Sequence, residues 1–276
     1  MPELPEVETI RKALIPLITG TRVKSVELLW PKAVRQPSPE EFCQQIAGQR
    51  IEGIRRRGKY FLFDLSGGEI LGLHLKMTGV LLLEPASKEV PKHTVAIFRL
   101  DGDSDLHFVD QRKFGSIWLA GDEKEIIGKL GPEPLDKAFT QAYLSKLTRR
   151  HSIPIKALLH DQNAIAGIGN MYADEALFAA KIHPLKKASS LSGREIKKLH
   201  TAIIEVLERG IRHNGASTRN YRLPDGSEGL AHTQFRVAHR GGKPCPVCGT
   251  AISRISIRGR GSYFCPKCQP KSRRNE

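Results

Sequence analysis

Apolar residues at helical spacing mark the start of the chain. Val7, Ile10, Leu14 and Ile18 fall on one stripe, so residues 5–18 read as one helix. Short segments of β character follow at Arg22–Leu29, Ile51–Leu65, Ile70–Leu83, Thr94–Leu100, Leu106–Val109 and Ser116–Ala120. Turn residues such as Ser66-Gly67-Gly68 and Asp101-Gly102-Asp103 separate them, which predicts a sandwich or barrel rather than a βαβ sheet. Gly131-Pro132-Glu133-Pro134 breaks the chain, and the periodicity then turns helical. Phe139, Tyr143, Leu144 and Leu147 mark one helix, and Ile155, Leu158 and Leu159 a shorter one. Asn170–Ala180 follows a glycine turn, and Ser192 with Glu195 forms a capping box for a helix carrying Ile196, Leu199, Ile203, Val206 and Leu207. Asn214–Arg240 is polar and rich in Gly, Arg and Asn, and reads as a mobile loop. A cysteine module and a disordered tail from Lys271 to Glu276 complete the chain.

Charge narrows the partner. Among 276 residues, Lys and Arg number 44 against 29 Asp and Glu, a formal +15 spread along the whole chain. Such an excess suits a polyanion. No apolar run is long enough to span a bilayer and no signal-peptide pattern opens the chain, so the expectation is a soluble, unexported cytoplasmic protein whose partner is nucleic acid.

Cys245, Cys248, Cys265 and Cys268 are spaced Cys-x2-Cys-x16-Cys-x2-Cys, the pattern of a tetrahedral four-thiolate zinc site. Four protein ligands leave no open position, so the metal is structural rather than catalytic. The intervening hairpin reads Arg258-Gly259-Arg260-Gly261, where arginines suit phosphate and glycines permit close approach, although a solvated turn would look the same. Cys43, in Glu41-Phe42-Cys43, reads as a half-buried helix residue without a function.

The N-terminus offers a different chemistry. Removing Met1 would leave Pro2 as a secondary amine, and an α-amino group titrates at about 7.7–8.0, leaving an appreciable neutral fraction. Glu3 beside it and Glu6 nearby supply carboxyls, so the pair could attack a sugar carbon and protonate its departing oxygen. Pro5, Glu6 and Glu8 are equally the marks of a helix start. Gly167-Ile168-Gly169-Asn170 places free backbone N–H groups at a helix end, with Asn at the cap, which serves a phosphate or ordinary capping alike. Met77, Arg112 and Phe114 could fill the hole left by an extruded base, or, Arg112 aside, simply pack in a core. Lys59 and Lys156 would not stand out unaided.

Taken together, these motifs resemble those of the bacterial formamidopyrimidine-DNA glycosylases, enzymes that remove oxidised guanine. The resemblance runs through Pro2-Glu3-Leu4-Pro5-Glu6-Val7-Glu8, Gly58-Lys59-Tyr60, His74-Leu75-x-Met77-Thr78-Gly79, Gln111-Arg112-x-Phe114-Gly115, Gly131-Pro132-Glu133-Pro134-Leu135, the Gly167–Asn170 turn and the terminal cysteines. It implies an α+β multidomain fold. An N-terminal β-sandwich with its helix would span 2–130, and a helix-two-turn-helix domain with a lesion-recognition loop 131–235. A zinc-finger β-hairpin would span 236–270, and a basic tail 271–276.

Residue by residue, the resemblance makes Pro2 the nucleophile and Glu3 the proton donor, with Lys59 associated with β-elimination and Arg260 with δ-elimination. DNA contacts fall on His93, Arg112, His151, Lys156 and Asn170, and the void-filling trio on Met77, Arg112 and Phe114. Cys245, Cys248, Cys265 and Cys268 would hold one structural zinc, with no organic cofactor. Two departures stand out: Val237-Ala238-His239-Arg240 replaces a common Val-Tyr-Gly-Arg, and His151 occupies a position commonly lysine.

The activity implied is base excision followed by strand cleavage. Pro2 attacks C1′, the base leaves, and the iminium makes the neighbouring proton acidic for β- and then δ-elimination. The substrate would be duplex DNA carrying oxidised purines or abasic sites, handled by a monomer in the bacterial cytoplasm at the nucleoid. A sister class acting on oxidised pyrimidines shares the Pro-Glu start, but Leu4 and the Arg112–Phe114 pair favour the purine class. A zinc-finger DNA-binding protein without catalysis is the further alternative.

Overall fold

The computed structural model describes residues 1–271; positions 272–276 of the expected tail lie outside the described residues. The chain forms two compact units, Met1–Lys129 with Ile211–His232, and Leu130–Gly210 with the segment from Thr233 onward.

The first unit is a β-sandwich entered through helix α1 (Leu4–Ile18). Strands β1 (Val23–Leu28) and β2 (Val34–Gln36) precede helix α2 (Pro39–Ile46). Then come β3 (Ile51–Arg57), β4 (Tyr60–Leu65), β5 (Ile70–His74), β6 (Gly79–Pro85), β7 (Thr94–Leu100), β8 (Ser104–Asp110), β9 (Ser116–Ala120) and helix α3 (Glu123–Ile127). One sheet has the order β1-β7-β8-β6 and the other β2-β9-β5-β4-β3. Both contribute to one apolar cluster, into which α1 inserts Val7, Ile10, Leu14 and Ile18, the stripe read from the sequence. Burying each of these four side chains contributes roughly 1.5–3 kcal/mol, so the helix is fastened firmly to the sheets.

Two apolar runs are divided more finely than their pattern predicts. Ile51–Leu65 is a hairpin, β3 and β4, reversed at Gly58-Lys59 with Arg57 opposite Tyr60. Gly58 has φ +58, the positive value that a two-residue hairpin turn needs at its first position. Ile70–Leu83 is two strands in different sheets, because residues 75–78 cross between the layers. The pattern also does not announce β2 or α3, and it marks α2 only through Cys43. Cys43 does lie in a helix, half-buried.

The second unit is helical at first: α4 (Gln141–Arg149), α5 (Ile155–His160), α6 (Asn170–Ala180) and α7 (Gly193–Arg212). The expected capping box opens α7, with Ser192 N–H donating to Glu195 at 2.9 Å and Glu195 N–H to Ser192 Oγ at 3.3 Å. Strands β10 (Ser253–Ile257) and β11 (Arg260–Phe264) form the terminal hairpin. Its two-residue turn is Arg258-Gly259, both with positive φ, so Arg260 and Gly261 belong to β11 rather than to the turn. Among the described residues no helix is long and apolar enough to cross a membrane.

The stretch 214–240 is less loose than its polarity predicts. Tyr221 is buried in the sandwich core and Leu223 packs against it. A short 3-10 turn covers Ala231–Gln234. Polar composition conceals these anchors, because two apolar side chains suffice to tether a loop.

Candidate functional site

In the first unit, α1 begins at the chain's reactive end. Glu3 is the N-cap, in extended conformation and only 2% exposed. Its backbone N–H donates to Glu6 Oε2 at 2.8 Å, so helix start and buried acid are one device rather than alternatives. Glu6 is buried as well, and its other oxygen accepts the Ala216 N–H at 2.8 Å. Pro2 is buried and here still carries Met1. Burial lowers the Met1 amine below its usual range, opposed by Glu3 and Glu6 and assisted by Lys59 and Arg219. Lys59, on the β3–β4 turn, is itself only 4% exposed. The structure therefore gathers the N-terminus, Glu3, Glu6 and Lys59 in one electrostatic neighbourhood.

His74 lies near Lys59 and Lys76. Burial above all, and then those two lysines, holds its imidazole down at about 3. A neutral ring suits its geometry, because Nδ1 accepts the Lys76 N–H at 2.9 Å.

Met77 sits on the segment crossing between sheets, and Phe114 on the β8–β9 loop; they are 44% and 48% exposed, large apolar side chains left outside the core. The Arg112 guanidinium lies 4.5 Å from the Phe114 ring centroid. Asp110 organises this region. Its fully buried carboxylate accepts the N–H groups of Arg112 at 3.2 Å, Phe114 at 2.8 Å and Gly115 at 2.7 Å, and the Thr78 hydroxyl. The Asp110 N–H in turn donates to the His93 carbonyl at 3.0 Å, and His93 adopts φ +68. Thus Arg112, Phe114 and the residue after Met77 hang on one carboxylate, and His93 on the backbone of the same residue.

The segment after α7 reaches back to the same unit. Tyr221 donates through its hydroxyl to Asn214 O at 3.0 Å, and burial raises that phenol well above its normal range. Ser217 Oγ donates to Tyr221 O at 2.8 Å and accepts the Gly229 N–H at 2.9 Å, closing the loop on itself.

In the second unit, Gly169 rather than Asn170 is the N-cap of α6; Asn170 is the first helical residue. Its side chain turns to the hairpin, Nδ2 donating to Gly261 O at 2.8 Å while Oδ1 is buried. A cavity of about 160 Å³ is lined by Lys156, His160, Asn170, Arg258 and Arg260. Lys156 is only 3% exposed, with Nζ donating to Asp174 and, at 3.0 Å, to Ser262. Half-buried His151 points Nδ1 at Leu147 O, 2.9 Å away, at the end of α4. Glu175 accepts the N–H groups of Arg236, Val237 and Ala238 at 2.8–3.0 Å, which fixes the segment entering the cysteine module. At the departure noted above, His239 takes φ +58, the left-handed conformation that glycine adopts without strain.

The four cysteine sulfurs lie within 4.8 Å of one another, with Sγ–Sγ separations of 3.9, 3.5 and 3.5 Å. A tetrahedral ion with Zn–S bonds of about 2.3 Å requires edges of about 3.8 Å, so the donor set and its spacing fit one zinc. Phe178 of α6, Val237 and Ile252 pack beneath these cysteines.

Three family models cover most of the chain: the formamidopyrimidine-DNA glycosylase N-terminal domain over residues 1–117, the H2TH domain of that enzyme over 130–222, and a zinc finger found in FPG and IleRS over 242–271. The formamidopyrimidine-DNA glycosylase of Symbiobacterium thermophilum is 44% identical over 275 residues, covering 98% of this chain and 90% of that protein. The chain belongs to the formamidopyrimidine-DNA glycosylase family. A Lactococcus lactis Fpg mutant in complex with Fapy-dG-containing DNA superimposes with TM-score 0.92 at 37% identity, covering 98% of this chain and 100% of that one. Fpg from the same organism bound to DNA with an abasic site gives TM-score 0.92 at 36% identity, with the same coverage.

Family membership matches the sandwich, the H2TH helices and the four-cysteine hairpin described above. Several supporting groups gave no sequence signal: Asp110, Asp174 and Glu175 are lone acids without periodicity, and only their buried hydrogen bonds reveal them. Glu6 was visible as a nearby carboxyl, but its bond to Ala216 was not.

Proposed function

We propose that this protein is a base-excision DNA glycosylase with abasic-site lyase activity, acting on duplex DNA that contains oxidised purines such as 8-oxoguanine and formamidopyrimidines. The observation that carries the reading is the N-terminus: Pro2 is buried at the start of α1, with buried Glu3, Glu6 and Lys59 all acting on the chain's terminal amine. After removal of Met1, the Pro2 nitrogen forms a bond to C1′ of the damaged nucleotide and the base departs. Glu3 protonates the ring oxygen as the sugar opens, which leaves a cationic iminium. Loss of the adjacent C2′ proton breaks the bond to the 3′ phosphate, with Lys59 associated with this β-elimination. Arg260 is associated with the δ-elimination that releases the 5′ phosphate.

Exposed Met77 and Phe114, with Arg112 stacked on the ring, suit the space vacated by a flipped nucleotide. Arg112, His93, His151 and Asn170 are assigned to the DNA, whose phosphates the surplus of +15 attracts. The zinc would be held by Cys245, Cys248, Cys265 and Cys268, where it braces the hairpin carrying Arg260 and takes no part in bond making. We further assign the protein to the bacterial cytoplasm, at the nucleoid, as a monomer.

Excision of 8-oxoguanine and thymine glycol from matched duplexes tests the substrate class. The proposal predicts faster release of 8-oxoguanine. Preference for thymine glycol would place the activity with the pyrimidine class, and binding without release of either base would leave a DNA-binding protein.

A further inference from the structure

We propose that Asp174 is a positioning residue for strand cleavage: its buried carboxylate, charge-balanced by Lys156, holds β11 so that Arg260 is presented from a fixed hairpin. The proposal rests on the reading of Arg260 as the δ-elimination residue.

Asn170 and Asp174 stand four residues apart on α6 and therefore share a helix face. Both grip β11. Asn170 donates to Gly261 O, while Asp174 accepts from Ser262 Oγ at 2.9 Å through Oδ1 and from Tyr263 N–H at 3.1 Å through Oδ2. Three consecutive residues after Arg260 are thus fastened to one face of one helix. Arg260 and Ser262 alternate onto the same face of the strand, and Arg260 lines the cavity shared with Lys156 and Asn170. The anchor is two residues from the group it aims.

The charges explain why Lys156 is inside. A carboxylate as buried as Asp174 is costly unless paired and hydrogen-bonded. Lys156 supplies the countercharge and also donates to Ser262 Oγ, so ammonium, hydroxyl and carboxylate close a triangle. Burial pushes the Asp174 carboxyl up, and the lysine pulls it back toward the ionised form. Lys156 therefore acts on the hairpin through Asp174 and Ser262, which a surface lysine reaching for a phosphate could not do.

The test uses the zinc-loaded full chain and a duplex with one abasic site. Asp174→Asn removes the charge and Ser262→Ala the shared hydroxyl. The double variant Lys156→Met with Asp174→Asn removes both charges, so neither is left buried alone if the single variant fails to fold. The ratio of δ- to β-elimination ends is read on a denaturing gel, and hydrogen exchange is read on peptides covering 258–264. Because the ratio compares products of the same molecules, loss of active protein does not move it.

The proposal expects the ratio to fall about tenfold or more, in keeping with the ~100-fold cost of misplacing a reacting group by about 1 Å, and hairpin exchange to quicken with zinc retained. Parental exchange in variants that fold would overturn it. So would a parental ratio where Arg260→Ala abolishes δ-elimination. If Arg260→Ala itself keeps the parental ratio, the reading of Arg260 has failed, and exchange alone decides whether Asp174 holds the hairpin.

Discussion

Replacing Asp110 should unfasten the loop that carries Arg112 and Phe114. Its carboxylate is fully buried and accepts three backbone N–H groups and one hydroxyl. Phe114 and Gly115 make the shortest backbone bonds, at 2.8 and 2.7 Å, and the Gly115 bond is buried. Asp110→Ala strands these donors, and each hydrogen bond to a charged acceptor contributes about 1.5–3 kcal/mol. Two such losses come to roughly 3–6 kcal/mol, or on the order of 10–15 °C in the melting temperature of a unit this size. Asp110→Asn should fall between, since one oxygen remains to accept while its amide faces the N–H groups it would have to bond. Calorimetry on the zinc-loaded protein measures the stability. Titration with a duplex holding an abasic site measures the consequence, a loss of affinity of about tenfold, equal to only 1.4 kcal/mol of the stranded energy. An Asp110→Ala variant that melts within about 2 °C of the parent would refute the reasoning, because the donors would then have found other partners at no cost.

Further outcomes follow from the same geometry. His74 is held neutral in the fold down to about 3 but titrates near 6.5 when unfolded, so its stabilisation is present above 6.5 and is lost as pH falls toward 3. That loss is about 2 kcal/mol at about pH 5, and urea unfolding of His74→Gln should show a correspondingly flatter dependence between about pH 8 and 5; an unchanged slope would contradict the assignment. Chelating the zinc should loosen the hairpin and depress δ-elimination, with activity restored on adding zinc back; full activity without metal would count against a bracing role. Arg112→Ala should weaken binding to every duplex and reduce the slope of log affinity against log salt by about 0.9 if it neutralises one phosphate. An unchanged slope would remove Arg112 from the phosphate contacts.

Much of this architecture could be read from residue pattern, and the exceptions have physical causes. The stripe Val7, Ile10, Leu14, Ile18 predicts α1 because a helix facing two sheets needs one apolar side. The cysteine spacing is legible because four thiolates must converge on a single ion. The crossing that presents Met77 is not legible, since Ile70–Leu83 is apolar on both sides of it and periodicity cannot say which sheet each half joins. Lys156 misleads for a different reason. A lysine on a short helix resembles a solvated cation, and its burial depends on Asp174 and Ser262, distant in sequence. Tyr221 likewise sits in a polar stretch whose packing partner is the far sandwich core.

The central claim is that the chain's own N-terminus is the nucleophile. Incubating the purified protein, with Met1 removed, on a duplex carrying 8-oxoguanine and adding borohydride would reduce any iminium to a stable amine. Peptide mapping of the adduct is predicted to place the sugar on Pro2. The same preparation with a residue retained ahead of Pro2 should bind the duplex and yield no adduct. Strand nicking at full rate with no label on Pro2 would contradict the account.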